Sequence, residues 1–386
     1  MLILQTQIIY QALIYIKKPD ISFIQTILYF MKILKHISVI ILFFLIFNSG
    51  YSCTTFCIKT DNELVFGKNY DFDIGYGIVF VNKSGVFKRA FTDSNSPAEW
   101  TSRYGSVSFN QFGREFPMGG MNESGLVVEL MWLDETVFPA ADERSSVGGI
   151  LQWIQYQLDN CETIQEVIDT DKFLRIQEGS IPVHYLITDK YGNTAAIEFL
   201  NGSLVQHSGE ALKYRTLTND TYEKSLEYLK IFKGFGGSRM LNGTTSSLDR
   251  FTTSCSMLSD YSKEKYGNAV DYGFNILDNV KQGTGTKWSI VYDIKNMKIY
   301  FKTLDNSKIR TVDFSGLDFK CSSTVEMIDV NFVSEGNIIP LMTEYNIQVN
   351  RDLIEKSYNG FEYTMNISEA ERDRAAAYPE TLSCSK

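Results

Sequence analysis

CTTFCIKTDNELVFGKNYD, residues 53–71, reads as two strands folded back to back. Residues 53–60 carry a thin period-two pattern, Asp61-Asn62-Glu63 is a turn cluster, and residues 64–71 return as the second strand. A hairpin of that length brings Lys68 and Asp71 back beside Cys53. A carboxylate there can hold an ammonium or a thiol, and a cation there lowers a thiol pKa. Spacing alone fits equally well a hairpin with a solvated Lys and Asp.

From Met31 the chain reads MKILKHISVIILFFLIFNSGYSC, ending at Cys53. Lys32, Lys35 and His36 make a basic start, and residues 37–47 are apolar except for Ser38. Gly50 and Ser52 place small residues where a signal peptidase reads. This three-part pattern is that of a secretory signal over residues 31–52, its apolar centre too short for a spanning helix. Cleavage after Ser52 would make Cys53 the first residue. An N-terminal cysteine unites nucleophile and base, because its α-amine, of pKa about 7.7–8.0, can take the thiol proton. Two other readings of Cys53 are a lipid-anchor site, although Gly50 stands where such sites carry Leu, and a disulfide cysteine. Residues 1–30 read as an upstream extension of a gene whose working start is Met31.

These residues resemble a known family. CTTFCI and FGKNYD, followed by WTSRYGSV (100–107), GMNESGL (120–126), LTND (217–220) and DRF (249–251), are similar to the choloylglycine hydrolase and penicillin V acylase family. The resemblance runs in the family's order from Cys53 to about Thr303. It implies an N-terminal-nucleophile hydrolase of linear carbon–nitrogen amide bonds, built as an α+β, αββα four-layer sandwich. It further implies that Cys53 is the nucleophile and that Asp71 positions its amine and thiol. Asn219 would help to form the oxyanion hole, and Arg250 would belong to the charged network around the nucleophile. A main-chain N–H at Trp132 would be the second oxyanion donor, with the Trp132 ring reshaping the acyl pocket beside it. Lys68 departs from the family, which usually has arginine there. Lysine keeps the charge but loses the planar fork that binds two partners at once.

The implied chemistry suits these residue types. Amide hydrolysis needs a nucleophile, a proton shuttle to the leaving amine, and donors aimed at the developing oxyanion, worth roughly 3–4 kcal/mol each when well placed. A papain-like cysteine–histidine pair fits less well. Of the three histidines, His36 leaves with the signal, His184 sits in an apparent strand as a satisfied core or edge residue, and His207 lies near a turn. Readings from other classes are an inactive lipoprotein or binding module on the same fold, and an acyltransferase.

Composition is consistent with this. Removing 52 of 386 residues leaves 334, enough for a sizeable core. We expect a hydrolase domain over 53–315 and a C-terminal segment over 316–386 packed on it. A net charge of −9 argues against nucleic-acid partners. No C-x-x-C pair or histidine cluster suggests metal, and no phosphate motif suggests a cofactor; the expected partner is a small-molecule amide, with homo-oligomers left open. The six cysteines suit an oxidising compartment. Cys321 with Cys384 could clip the C-terminal segment, although sequence does not fix connectivity. Along the chain, residues 77–81, 106–109 and 125–133 read as sheet. Residues 183–188 with 194–199, and 288–294 with 298–302, read as hairpins. Residues 147–160 read as a helix with Ile150, Leu151, Ile154 and Leu158 on one face, continuing through 163–169. Residues 221–232 and 251–266 also read as helical.

Overall fold

The computed structural model describes residues 52–243 and 246–385. The secretory signal and the upstream extension lie outside the described residues, except for Ser52. The opening hairpin forms as Thr54–Lys59 against Leu64–Asp71, with Thr55 opposite Lys68, Phe56 opposite Gly67 and Cys57 opposite Phe66. Gly67 is required by this register. A Cβ there would lie 2.2 Å from the Phe56 ring.

The hairpin supplies the second and third strands of a seven-stranded sheet. Its order in space is Thr216–Leu217, Thr54–Lys59, Leu64–Asp71, Thr286–Asp293, Lys298–Thr303, Arg310–Asp313 and Gly336–Asn337. A nine-stranded sheet runs Ser203–Ser208, Thr194–Leu200, Val183–Thr188, Val127–Trp132, Pro117–Asn122, Ser106–Asn110, Ile78–Asn82, Glu326–Asp329 and Thr343–Glu344. Alternation along each strand sorts the side chains into layers. Phe56, Ile58, Val65 and Val291 pack outward against Tyr272, Ile276 and Leu277 of the helix Ala269–Val280. Cys57, Phe66, Tyr70 and Tyr292 point the other way, into the main core shared with Val107, Phe109, Met121 and Val127 of the second sheet. The helix Ile150–Asn160 covers that sheet's far side with Ile150, Ile154 and Leu158 buried. The result is helix, sheet, sheet, helix, the four-layer α+β sandwich.

Three helical readings need correction. The helix over 147–160 starts only at Ile150, because Ser145–Val147 pairs as a strand with Leu174–Ile176 and Gly149 lies at φ 127°. It stops at Asn160, where Cys161 turns extended, and Thr163 caps a separate helix Ile164–Asp169 through a reciprocal bond with Glu166. The helix over 251–266 begins at Ser247, capped by Ser246, and breaks at extended Tyr261 before the short helix Lys263–Tyr266. The helix over 221–232 ends at Leu229. Beyond residue 315 the chain supplies strands to both sheets and adds two helices, Ile347–Gly360 and Glu369–Ala377. Cys321 and Cys384 are disulfide-bonded, and Cys53, Cys57, Cys161 and Cys255 are free thiols.

Candidate active site

Cys53 sits at the mouth of the first strand, 3 % exposed, with its thiol 3.8 Å from the carbonyl oxygen of Asp71 at the end of the second. The hairpin therefore returns Asp71 to Cys53, and neither Asp71 nor Lys68 is a solvated hairpin charge: they are 2 % and 1 % exposed. Thr286, on the next strand, donates its hydroxyl to Asp71 Oδ1, while Oδ2 is buried with no hydrogen-bond partner. Burial pushes the Asp71 carboxyl up to about 6, against the lowering effects of Thr286, Arg250 and Lys68.

Arg250 reaches the same point from the helix Ser247–Asp260 and is fully buried. Its Nη1 donates to the Cys53 carbonyl at 2.6 Å and to Thr54 Oγ1 at 2.7 Å, and its Nη2 donates to Asn219 Oδ1 at 2.9 Å. Asn219 is held besides by its own N–H to Ser247 Oγ at 2.8 Å. Its side-chain Nδ2 donates to the Trp132 carbonyl at 2.9 Å. One guanidinium thus ties the first residue of the hairpin to the Asn219 turn and, through it, to the end of the strand Val127–Trp132. Burial raises the Cys53 thiol pKa; Lys68 is the largest influence pulling it down, followed by the backbone bond at Asp71 and then Arg250, while the Asp71 charge pushes it up.

Lys68 is not aimed into open space. Its ammonium donates to the Leu130 carbonyl and stands 3.8 Å from Glu129, a residue the sequence reading passed over. Glu129 is 2 % exposed and accepts a hydrogen bond from Tyr292, and burial lifts its carboxyl to about 7. Gly119 makes room for it: a Cβ there would fall 2.2 Å from the Glu129 carboxylate. Two signals for Glu129 are present in the sequence, a lone charge in the apolar run VVELMW and a glycine on the neighbouring strand. The contact with Lys68 crosses between sheets and has no local signature.

Cys53 opens on a cavity of about 310 Å³ that Asp71 and Trp132 also line. Asn219, Arg250 and Lys68 do not line it; they stand behind Cys53 and Trp132. The rest of the wall is mostly apolar, with Gln152, Ser180 and Thr364 as polar members, and includes Phe112, Met118, Leu130, Ile181 and residues from beyond the hydrolase-like stretch, Tyr358, Phe361 and Tyr363. His184 lies away from the cavity and is fully buried, its Nδ1 3.2 Å from Glu198 and its Nε2 2.7 Å from the Thr218 carbonyl. His207 meets the same carboxylate at 3.3 Å. Burial works to raise Glu198, but the two histidines outweigh it and hold the carboxyl at about 2.

Two stacked, largely antiparallel sheets between helical layers, with a cysteine at the start of the opening hairpin facing a cavity, have the N-terminal-nucleophile hydrolase fold. A family model described as linear amide C–N hydrolases, choloylglycine hydrolase family, matches residues 53–327, and the chain belongs to that family. It is accordingly a hydrolase of carbon–nitrogen bonds other than peptide bonds, in linear amides. A penicillin V acylase of Pectobacterium atrosepticum is 26 % identical, the match covering 57 % of this chain and 69 % of that one. The solved penicillin V acylase of Agrobacterium tumefaciens superposes with a TM-score of 0.67 at 24 % identity, over 76 % of this chain and 98 % of its own. A mutant conjugated bile acid hydrolase of Clostridium perfringens gives 0.59 at 17 % identity, over 74 % and 98 %.

Proposed function

We propose that this protein is a secreted acylase that cleaves a linear amide through an acyl-enzyme on Cys53, after the signal over residues 31–52 is removed. The observation that carries this is the buried Oδ2 of Asp71, which lacks a hydrogen-bond partner although Asp71 abuts Cys53. In the uncleaved chain the Cys53 nitrogen is spent in the peptide bond to Ser52. Cleavage would turn it into an amine, and an ammonium beside Asp71 supplies the donor that a buried carboxylate otherwise lacks. That amine takes the thiol proton, the thiolate attacks the substrate carbonyl, and the proton passes to the departing amine as the C–N bond breaks. Water then releases the acyl group. The main-chain N–H of Trp132 and the Asn219 amide, coupled through the Trp132 carbonyl, are the proposed oxyanion donors. Arg250 positions both Cys53 and Asn219.

The cavity suits an apolar acyl group, and its volume lies at the small end of the 300–1,000 Å³ typical of ligand pockets. Phenoxyacetyl or fatty-acyl amides are therefore favoured over conjugated bile salts. The test compares a chain beginning at Cys53 with the uncleaved chain, measuring release of amine from both substrate classes. The chain beginning at Cys53 is expected to be active and the uncleaved chain nearly dead. Cys53→Ala should abolish turnover and Cys53→Ser should leave little, since an alcohol is far harder to deprotonate than a thiol. Equal activity from the uncleaved chain would overturn the amine-as-base mechanism.

A further inference from the structure

The family match ends at residue 327, yet the cavity at Cys53 is closed by residues well past it. The helix Ile347–Gly360 is seated by buried Leu353 and Ile354, and Asn350 accepts from the Arg114 N–H at 2.8 Å. The turn that follows is fixed by the Thr364 hydroxyl, 3.1 Å from both the Tyr358 and Phe361 carbonyls. Phe361 is thereby pressed between Phe72, at 4.6 Å between ring centroids, and Phe112, at 5.8 Å. Phe361 is 1 % exposed; Tyr363 is 57 % exposed and leans over Trp132 at 5.2 Å. The segment's far end is clamped by the Cys321–Cys384 bond and by pairing of Ser383–Cys384 with Val86 and Phe87.

We propose that residues 358–367 form the specificity wall of the acyl site, with Phe361 as its inner face and Tyr363 and Trp132 as its rim. The proposal rests on the reading of Cys53 as nucleophile. Asp71 is the one charged side chain lining the cavity among the described residues, and it lies at the thiol end. The acyl group this wall accepts is uncharged and apolar, a single aromatic ring or an unbranched chain. A fused polycyclic acid is too broad. Buried aromatic faces set such limits sharply, since one methylene more or less in an apolar pocket changes specificity by about 10–200-fold.

The experiment uses the protein beginning at Cys53 and a series of acyl amides on one common amine, from acetyl through decanoyl, with phenoxyacetyl. Phe361→Ala should move the kcat/KM optimum to longer chains, changing the long-to-short ratio at least about tenfold. Phe361→Leu, which keeps the wall apolar and packed, guards against unfolding and should shift the optimum less. Calorimetric titration with the free carboxylic acids reads the same wall without turnover. A length profile in binding that changes with Phe361→Ala supports the wall even if no amide is cleaved, and that pattern would sink the Cys53 mechanism alone. Turnover with an acyl profile indifferent to both Phe361 variants and to Tyr363→Ala would overturn the wall and leave Cys53 standing.

Discussion

Lys68 and Lys88 are each only 1 % exposed, yet the two ammonium groups are held in opposite ways. Lys88 is saturated with negative charge: Glu115 at 2.5 Å and Asp159 at 2.9 Å, all three fully buried. Burial works against its charge, but Asp159 and Glu115 outweigh that and raise its pKa. Asp159 is itself braced by the Trp100 indole N–H at 2.7 Å and Gln155 at 2.8 Å. The cluster locks the strand Val86–Arg89 to the helix Ile150–Asn160 and to the loop at Glu115. Lys68 has a backbone carbonyl and one carboxylate at 3.8 Å, and that carboxyl titrates near 7. A fully matched cation is a structural clamp. One that is under-matched still projects positive potential, and the thiol it projects onto is Cys53.

The largest effect should come from breaking the clamp. Lys88→Met strands two carboxylates in the core, and removing one partner of a buried ion pair costs about 3–5 kcal/mol. The loss should grow as pH rises through 6, where the parent's Asp159 ionises against Lys88 while the variant's, deprived of that cation, holds its proton to higher pH. Denaturant unfolding would show it as a lowered midpoint, while turnover per folded molecule changes little. A midpoint within error of the parent's would show that the cluster adds nothing to stability.

Lys68→Met should give the reverse. Glu129 can keep its proton and stay neutral when its cation is gone, so the stability loss is smaller, about 1–3 kcal/mol. The cost falls on reactivity instead: the pH midpoint for alkylation of Cys53 should rise by about one unit as the cation with the largest lowering influence on the thiol disappears. Lys68→Arg, which keeps the charge and installs the family's usual planar guanidinium, should keep most of the activity. An unchanged alkylation profile in Lys68→Met would collapse the contrast between the two lysines.

The contrast also explains what could be seen from the sequence. The hairpin, its register and the approach of Asp71 to Cys53 are local, written within nineteen residues by period-two patterning and one turn cluster. Asn219 and Arg250 carry no local signal; the family's order of motifs pointed to them, and the structure ties them to Cys53 through one guanidinium. Glu129 was missed because its partner lies on another sheet. The aromatic wall was missed for a stronger version of the same reason. Phe361 meets Phe72 and Phe112, which lie far back in the chain, and nothing periodic in FEYTMNI announces it. The breaks in the helices over 147–160 and 251–266 turned on Gly149 and Tyr261, whose backbone angles apolar periodicity does not encode.

The smallest expected effect is the most discriminating. Glu129→Gln keeps a hydrogen-bonding group of the same shape beside Lys68 and Tyr292 but removes the titration. The Glu129 carboxyl is raised from its usual range to about 7, so the folded protein holds a proton there that the unfolded chain has already lost. Its contribution therefore falls as pH rises from the ordinary glutamate range through 7. Below that window Glu129 is neutral and the variant should match the parent. Above it, the parent has a carboxylate partly cancelling Lys68 and the variant does not. Glu129→Gln should then be the more stable of the two, and its Cys53 should alkylate at a pH lower by a few tenths of a unit. The measurement is a pair of curves, unfolding midpoint and alkylation rate, each taken from pH 5 to 9. Alkylation curves that diverge below pH 6, or unfolding curves that stay superposed above 8, would show that Lys68 acts on Cys53 without Glu129 setting how much of its charge remains.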